Sequence, residues 1–345
     1  MTDALRVVIA GAGRFGTLHG RTWGEAGAEV VGVVDADRGR ATSVAERFGA
    51  PASGDDLCTV LDLVGANAVV IASDESTHTL LTDQAIAAGC HVFVEKPFAL
   101  SGAEAARSID AAEALGLQII AGQISRFAQP YVYLKQAIAS GRLGKLWTVR
   151  LRRDFSRGWL ADFGARVHPV WESCIHDIDL AVFLTGERPE RVFAVQTGLT
   201  ASGVPSAVSA LVEFGSGQTA TIESAWSVPD RGPQSLAGAL ALEGTIAGEA
   251  EVIGAHGTVK QRLLSDAITE WGDAGVIAPD LSLWPEQYGR IGGALRAEID
   301  HAIAVFSGTS INDLMPHQEA LWGVQTAEAL IRSLETGSPE TIGSA

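Results

Sequence analysis

Residues 6–16 read RVVIAGAGRFG, an apolar β-branched run followed at once by glycines at positions 11, 13 and 16. The pattern is G-x-G-x-x-G, set between a strand and a helix. Gly11 allows a tight turn, Gly13 lets the backbone approach a pyrophosphate, and Gly16 lets the next helix pack closely on the strand. The start of that helix, at Arg14 and Phe15, then faces the anion. A second run, EVVGVVD (29–35), ends on Asp35, 19 residues beyond Gly16, where a carboxylate accepts hydrogen bonds from a ribose. Asp35 also repels a 2′-phosphate. NAD is therefore expected in preference to NADP, with Arg14 and Arg38 offsetting part of that repulsion. The plain alternative is a glycine-rich turn beside a surface aspartate, and the strand-turn-helix setting speaks against it.

Working outward, the runs NAVVIAS (67–73), HVFVE (91–95) and LQIIAG (117–122) continue the series. Alanine-rich helical stretches that end at glycine separate them, for example THTLLTDQAIAAG (77–89) and SGAEAARSIDAAEALG (101–116). Such alternation predicts an α/β domain over residues 1–123, its parallel sheet covered on both faces. The texture then changes. A helix, PYVYLKQAIASGRLG (130–144), leads to the strand KLWTVRLRRDF (145–155), and a further helix begins near Trp171 and ends at Gly186. Strands without intervening helices follow: ERVFAVQTG, SAVSALVEF, QTATIESAW, LAGALALEG and AGEAEVIG. Residues 124–345 are thus expected to form an α+β domain with a large open, mostly antiparallel sheet. Two closing helices, 287–308 and 317–337, have the option of packing back on the first domain.

A chain of 345 residues comfortably holds two cores, and 47% hydrophobic residues is an ordinary globular value. A net charge of −16, with no run of lysines or arginines, argues against nucleic acid or an anionic membrane as partner. The N-terminus lacks a signal-peptide pattern, and no stretch approaches the ~18 uninterrupted apolar residues of a membrane span. Cys58, Cys90 and Cys174 read as reduced core residues of a cytoplasmic protein. Cys174 sits in a charged neighbourhood, so a nucleophilic role is the alternative to weigh against inertness.

Ligands bind beyond the carboxyl ends of parallel strands. Two such ends carry polar residues here: Ser73, Asp74 and His78 in SDESTH, and Glu95-Lys96-Pro97 after HVFV. A lysine there suits a reacting oxygen, the adjoining Lys96–Pro97 bond is a candidate for cis, and an exposed turn lysine is the bland alternative. In the second half, WESCIHDIDL (171–180) places Glu172, His176, Asp177 and Asp179 among apolar residues. Glu172 and His176 are spaced to share one helix face. Asp179 is placed to meet a substrate hydroxyl or a neighbouring arginine, and Asp177 is expected to face water. Arg126, Arg153, Arg166 and His168 are further substrate-side candidates, each with a structural role as the alternative. A Glu/His metal pair is conceivable, but no further ligand set is visible, so no metal is expected.

GAGRFG, Asp35, EKP (95–97), SRFAQP (125–130), SGRLG (140–144), IHDIDL (175–180) and LRAEIDHAI (295–303) together resemble the Gfo/Idh/MocA oxidoreductases, in order and approximate spacing across nearly the whole chain. The resemblance implies a Rossmann domain followed by an α+β domain, and NAD(P)-dependent dehydrogenation of sugars, inositols or related polyols. Lys96 and His176 correspond to that family's catalytic lysine and histidine. Glu172 stands where many relatives carry aspartate, so it is expected to orient the His176 ring or contact substrate. Glu95 joins Ser73, Asp74 and His78 among the expected cofactor contacts, and a homodimer or homotetramer across the open sheet is implied. Two other functions use the same parts: a glycosidase working by oxidation and elimination on NAD, and a dinucleotide-binding regulator without turnover. Specificity is expected from SVPDRGPQ (227–234) and LWPEQYG (283–289), where Trp284 and Tyr288 are placed to meet a sugar.

Overall fold

A computed structural model describes residues 4–163, 167–200, 203–229, 234–237, 239–240, 244–263, 268–272 and 275–343. In chain order, the first half comprises β1 (Arg6–Ala10), α1 (Arg14–Glu25), β2 (Glu29–Val34), α2 (Arg38–Phe48), β3 (Ala52–Gly54), α3 (Leu57–Val64), β4 (Ala68–Ile71), α4 (His78–Ala87), β5 (His91–Glu95), α5 (Gly102–Ala114) and β6 (Ile119–Gly122). These strands form one sheet in the order β3-β2-β1-β4-β5-β6, every pair parallel. Its central strands are buried along nearly their whole length, as expected when helices cover both faces.

The second half contains α6 (Gln129–Ala139), β7 (Leu146–Phe155), α7 (Arg157–Phe163), α8 (Ile175–Thr185), β8 (Pro189–Thr197), β9 (Ala207–Phe214), β10 (Thr219–Ala225), β11 (Gln234–Ala237), β12 (Ile246–Gly254), β13 (Gly257–Leu263), β14 (Glu270–Gly272) and β15 (Gly275–Pro279). Then come β16 (Glu286–Gln287), β17 (Arg290–Ile291), α9 (Gly293–Phe306), α10 (His317–Thr336) and β18 (Glu340–Thr341). A seven-stranded sheet runs β13-β12-β7-β10-β9-β8-β18. It is antiparallel except between β7 and β10. One face packs on α8 and α6, and on the other the residues alternate outward into solvent.

Two compact units result. One takes in the chain to Gln123 together with Glu286–Leu321, and the other takes in Ile124–Pro285 with the chain from Trp322 onward. In the first unit α9 lies on α1: Phe306 stacks on Trp23 at 6.3 Å between ring centroids and on His91 at 5.1 Å. The first closing helix is shorter than its sequence suggested. Gln287 to Ile291 form a hairpin instead, because Tyr288 and Gly289 both take positive φ (51° and 78°), and the helix starts only at Gly293. The strand β13 had no clear alternation of apolar residues and was not anticipated. Part of the expected strand LAGALALEG lies outside the described residues, as do Arg166 and the middle of the 227–234 loop. Among the described residues, no helix is long and apolar enough to cross a membrane.

Candidate active site

In a wholly parallel sheet all carboxyl ends lie along one edge. Gly11, Asp35, Ser73 and Lys96 each stand one or two residues beyond a strand end, so all four share that edge. The glycine loop is shaped by contact. Gly11 has φ +105°, and a Cβ there would lie 2.4 Å from the Ala72 carbonyl oxygen. A Cβ on Gly16 would lie 1.8 Å from the Gly11 carbonyl oxygen, so helix and strand touch only because both residues are glycine. Gly13 is different: a side chain there would meet nothing within 4 Å. That open space, at the N-terminus of α1, is the cradle a pyrophosphate requires. Arg14 beside it is exposed and Phe15 half-buried.

Asp35 closes the cradle. Its Oδ2 accepts a hydrogen bond from Ala12 N–H at 2.7 Å, and its Oδ1 accepts from Asp37 N–H at 2.9 Å and from Arg40 at 2.7 Å. Burial works to raise its pKa, but the Arg40 guanidinium and the two N–H groups together hold it below the usual aspartate value. The carboxylate is thus ionised at neutral pH and keeps acceptor capacity for ribose hydroxyls. Arg40 escaped the sequence reading, which had named Arg38; Arg38 instead pairs with Asp55 at 2.8 Å. A dinucleotide fits these residues.

Further along the edge the picture is mixed. Asp74 caps the short turn Glu75–Thr77 by accepting from Ser76, and the Ser73 hydroxyl meets that of Thr77 at 2.7 Å. His78 was expected at the cofactor but is only 1% exposed. Its Nδ1 lies 2.7 Å from the Pro97 carbonyl and its Nε2 3.3 Å from the Ser73 carbonyl, and burial depresses its pKa. Glu95 also turns inward: its Oε1 lies 2.8 Å from Nε2 of the fully buried His19, and its Oε2 accepts from Lys96 N–H at 3.2 Å. Both were read as ligand contacts because strand-end position does not reveal which way a side chain turns. Lys96 is the one residue from Val92 to Ala99 that is not buried, and the Lys96–Pro97 bond is cis.

The second unit carries the other cluster. The helix expected from Trp171 to Gly186 opens as a π-turn over Val170–Cys174, becomes α8, and ends at Gly186 in the left-handed conformation. The Ser173 hydroxyl donates to the Pro169 carbonyl at 2.8 Å, taking the acceptor that an α-helical turn would give to a backbone N–H. Trp226 Nε1–H donates to the same hydroxyl at 3.0 Å, which anchors the turn. π-turns of this kind recur at functional sites.

Burial sorts the charges of WESCIHDIDL. From Val167 to Val182 every residue is buried except His168, Glu172 and His176, which recur every four positions. These three titratable residues form a stripe. His168 accepts a hydrogen bond from Val170 N–H on Nδ1 at 3.2 Å, which leaves the proton on Nε2 as an available donor. Burial pushes its pKa down to about 4, so the ring is neutral at physiological pH.

The remaining acids are ion-paired. Asp179 takes a bidentate bond from Arg126, Nε at 2.8 Å and Nη2 at 2.7 Å, with both side chains almost wholly buried. Asp177 does not face water: it is 0% exposed and accepts from Arg153 at 3.0 Å. Burial pushes its carboxyl up, and Arg153 opposes that. Arg153 is itself buried, with Ser125 and Tyr131 hydroxyls at 3.4 and 3.5 Å. Arg126, Arg153 and Asp179, read as substrate contacts, are therefore engaged internally. The periodicity could not reveal this, because the arginines come from distant segments.

Cys174 is buried and its thiol is pushed up to about 12, which leaves no nucleophile; Cys90 is also buried, whereas Cys58 is exposed, contrary to expectation. Trp284 is buried with its Nε1–H on the Leu240 carbonyl at 3.1 Å, so its ring is not open to a sugar, and Tyr288 is fully exposed. Among the described residues, no group of three or more His, Cys, Asp or Glu side chains is arranged to hold a metal ion.

A glycine cradle closed by an ionised acid, on the strand-end edge of a parallel sheet, defines a dinucleotide-binding enzyme domain. The comparisons agree. Residues 5–123 match the family described as oxidoreductase family, NAD-binding Rossmann fold, and residues 131–260 match the GFO/IDH/MocA C-terminal domain. The chain belongs to this Gfo/Idh/MocA oxidoreductase family. It is similar to inositol 2-dehydrogenase 1 of Saccharopolyspora erythraea, at 33% identity over a segment covering 56% of this chain and 58% of that relative. An inositol 2-dehydrogenase of Rubrobacter xylanophilus is 28% identical over 99% of this chain and 94% of its own. The fold matches scyllo-inositol dehydrogenase from Lactobacillus casei, solved with NAD(H) and scyllo-inositol, with a TM-score of 0.81 at 20% identity, covering 99% of this chain and all of that one.

Proposed function

We propose that this protein is an NAD-dependent dehydrogenase that oxidises a secondary hydroxyl of an inositol or a related polyol or sugar. The observation that carries the reading is the shared edge in the first unit: the open cradle at Gly13, ionised Asp35 and partly exposed Lys96 lie on one line of strand ends. The names of the relatives supply the substrate class. Gly11, Gly13 and Gly16 with the start of α1 would hold the pyrophosphate of the dinucleotide, and Asp35 its adenosine ribose. When bound, the nicotinamide supplies the hydride acceptor.

The chain's own residues do the rest. His176 takes the carbinol proton, a task suited to imidazole near neutrality. Lys96 stabilises the negative charge that grows on the reacting oxygen. Glu172, on the same stripe, orients the His176 ring or holds a substrate hydroxyl. His168 offers its Nε2–H to another. Asp35, ionised and acceptor-only, favours NAD over NADP, and Arg40 tempers that preference.

The reading extends to an assembly across the open sheet. Lys260, Glu251 and Arg150 lie in one cross-strand row that continues through Thr221 to Leu211 and Phe193. Charges alternate at one end of the row, while Leu211 and Phe193 are each 39% exposed at the other. The reading includes a homodimer or homotetramer formed across this face. A screen of inositols, aldoses and glycosides with NAD and then NADP, following net NADH or NADPH, tests the function. Release of an aglycone from a nitrophenyl glycoside without net NADH would replace dehydrogenase by glycosidase.

A further inference from the structure

Two histidines buried in the first unit have no part in the roles above, yet they flank the same residue. His19, on α1, is fully buried between the rings of Phe15 and Phe93, at 5.1 and 5.3 Å between centroids. Its Nε2 lies 2.8 Å from Glu95 Oε1. Its Nδ1 is buried and meets no partner among the described residues, so the arrangement assigns the proton to Nε2, which donates to the carboxylate. The other oxygen of Glu95 accepts from the Lys96 backbone N–H at 3.2 Å.

His78, on α4, closes from the opposite side. The neutral ring carries one proton, and the shorter contact claims it: Nδ1–H donates to the Pro97 carbonyl at 2.7 Å. No second proton is left for the Ser73 carbonyl, 3.3 Å from Nε2, so the one bond of the ring ties the turn after β5 to α4. Lys96 is thereby bracketed, its own N–H held through Glu95 and its successor's carbonyl held by His78. The first link reaches α1, whose N-terminus forms the phosphate cradle.

The geometry points to His19 and His78 as positioning residues that fix the Lys96 turn against the cofactor cradle, an inference resting on the reading of Lys96 as the residue at the reacting oxygen. Fold stability alone does not call for this arrangement. Replacing both partners of a buried hydrogen bond by apolar groups of the same shape can be nearly neutral for stability. Position is another matter, because a displacement of ~1 Å at a reacting group can cost about 100-fold in rate.

The test uses amide isosteres. Asn reproduces the Nδ1 donor of histidine and Gln the Nε2 donor, so His78→Asn and His19→Gln keep the bonds, while His78→Gln and His19→Asn lose them. The bond-keeping pair is expected to retain kcat within about fivefold. The bond-losing pair is expected to lose ~10–100-fold in kcat, with KM for NAD and polyol within about twofold. In the cofactor-free protein, acetylation of Lys96 by acetic anhydride, read by peptide mass spectrometry, is expected to speed up only in the bond-losing pair. Thermal melting of all four separates this from a loss of fold. Equal kcat and equal acetylation across the four, or losses that track melting temperature alone, would overturn the inference. Full turnover by Lys96→Met would overturn the reading of Lys96 and this inference with it. Loss in Lys96→Met beside unchanged histidine variants would overturn this inference alone.

Discussion

The strand-end edge of the first unit and the helix region 170–185 of the second carry the same kinds of residue but hold them differently. On the edge the backbone comes first: Gly11 and Gly16 are glycine because neighbouring carbonyls leave no room for a Cβ. In the helix region the backbone is ordinary apart from one π-turn, and burial alone separates the partly exposed Glu172 and His176 from the enclosed Asp177 and Asp179. A site built on backbone shape announces itself by residue type. A site built on which side chains stay open does not.

The largest expected effect tests whether both regions serve one reaction. Lys96→Met should lower kcat by ~10²–10³ and His176→Gln by ~10²–10⁴. Steady-state kinetics beside circular dichroism would check both, and near-normal turnover in either removes that residue from the mechanism. The comparison within the helix region is broken most directly by the same chemical change at two positions. Asp177→Asn, which leaves Arg153 buried with its partner neutralised, should cost about 3–5 kcal/mol of stability. Glu172→Gln should change stability by less than about 1 kcal/mol and kcat by roughly tenfold. Urea unfolding and kinetics on the two proteins would reverse the sorting if the effects came out exchanged.

A smaller effect separates the regions by pH. His168, held to about 4 in the fold against 6.5 when free, stays neutral while the unfolded chain takes up a proton. Stability should therefore fall as pH drops from about 6.5 toward 4, by ~3 kcal/mol for this residue. His78 and His91, both depressed by burial, act in the same direction. In His168→Gln the decline should be shallower; an unchanged slope in denaturant titrations would show that His168 is not neutral in the fold. The smallest expected change concerns the cradle. Asp35→Ser should shift the NADP-to-NAD ratio of kcat/KM upward by about tenfold, ~1.4 kcal/mol. No shift would mean that Arg40 already cancels the repulsion.

Much of this protein was legible as sequence. The parallel sheet, its glycine turn, Asp35 and the end of the helix at Gly186 follow from local rules, because strand alternation, positive φ and close approach each restrict residue type at a given position. Lys96, Glu172 and His176 were likewise singled out by type and spacing. What only the tertiary structure decided is where each charge points: Asp177 into Arg153, Asp179 into Arg126, Glu95 into His19 and Asp35 onto Arg40. All but the last of these partners lie far apart along the chain, and a one-dimensional pattern carries no record of which distant side chain will neutralise a buried charge. Burying a charge unpaired is costly, so the fold had to supply partners, and supplying them determined which charges ended up enclosed.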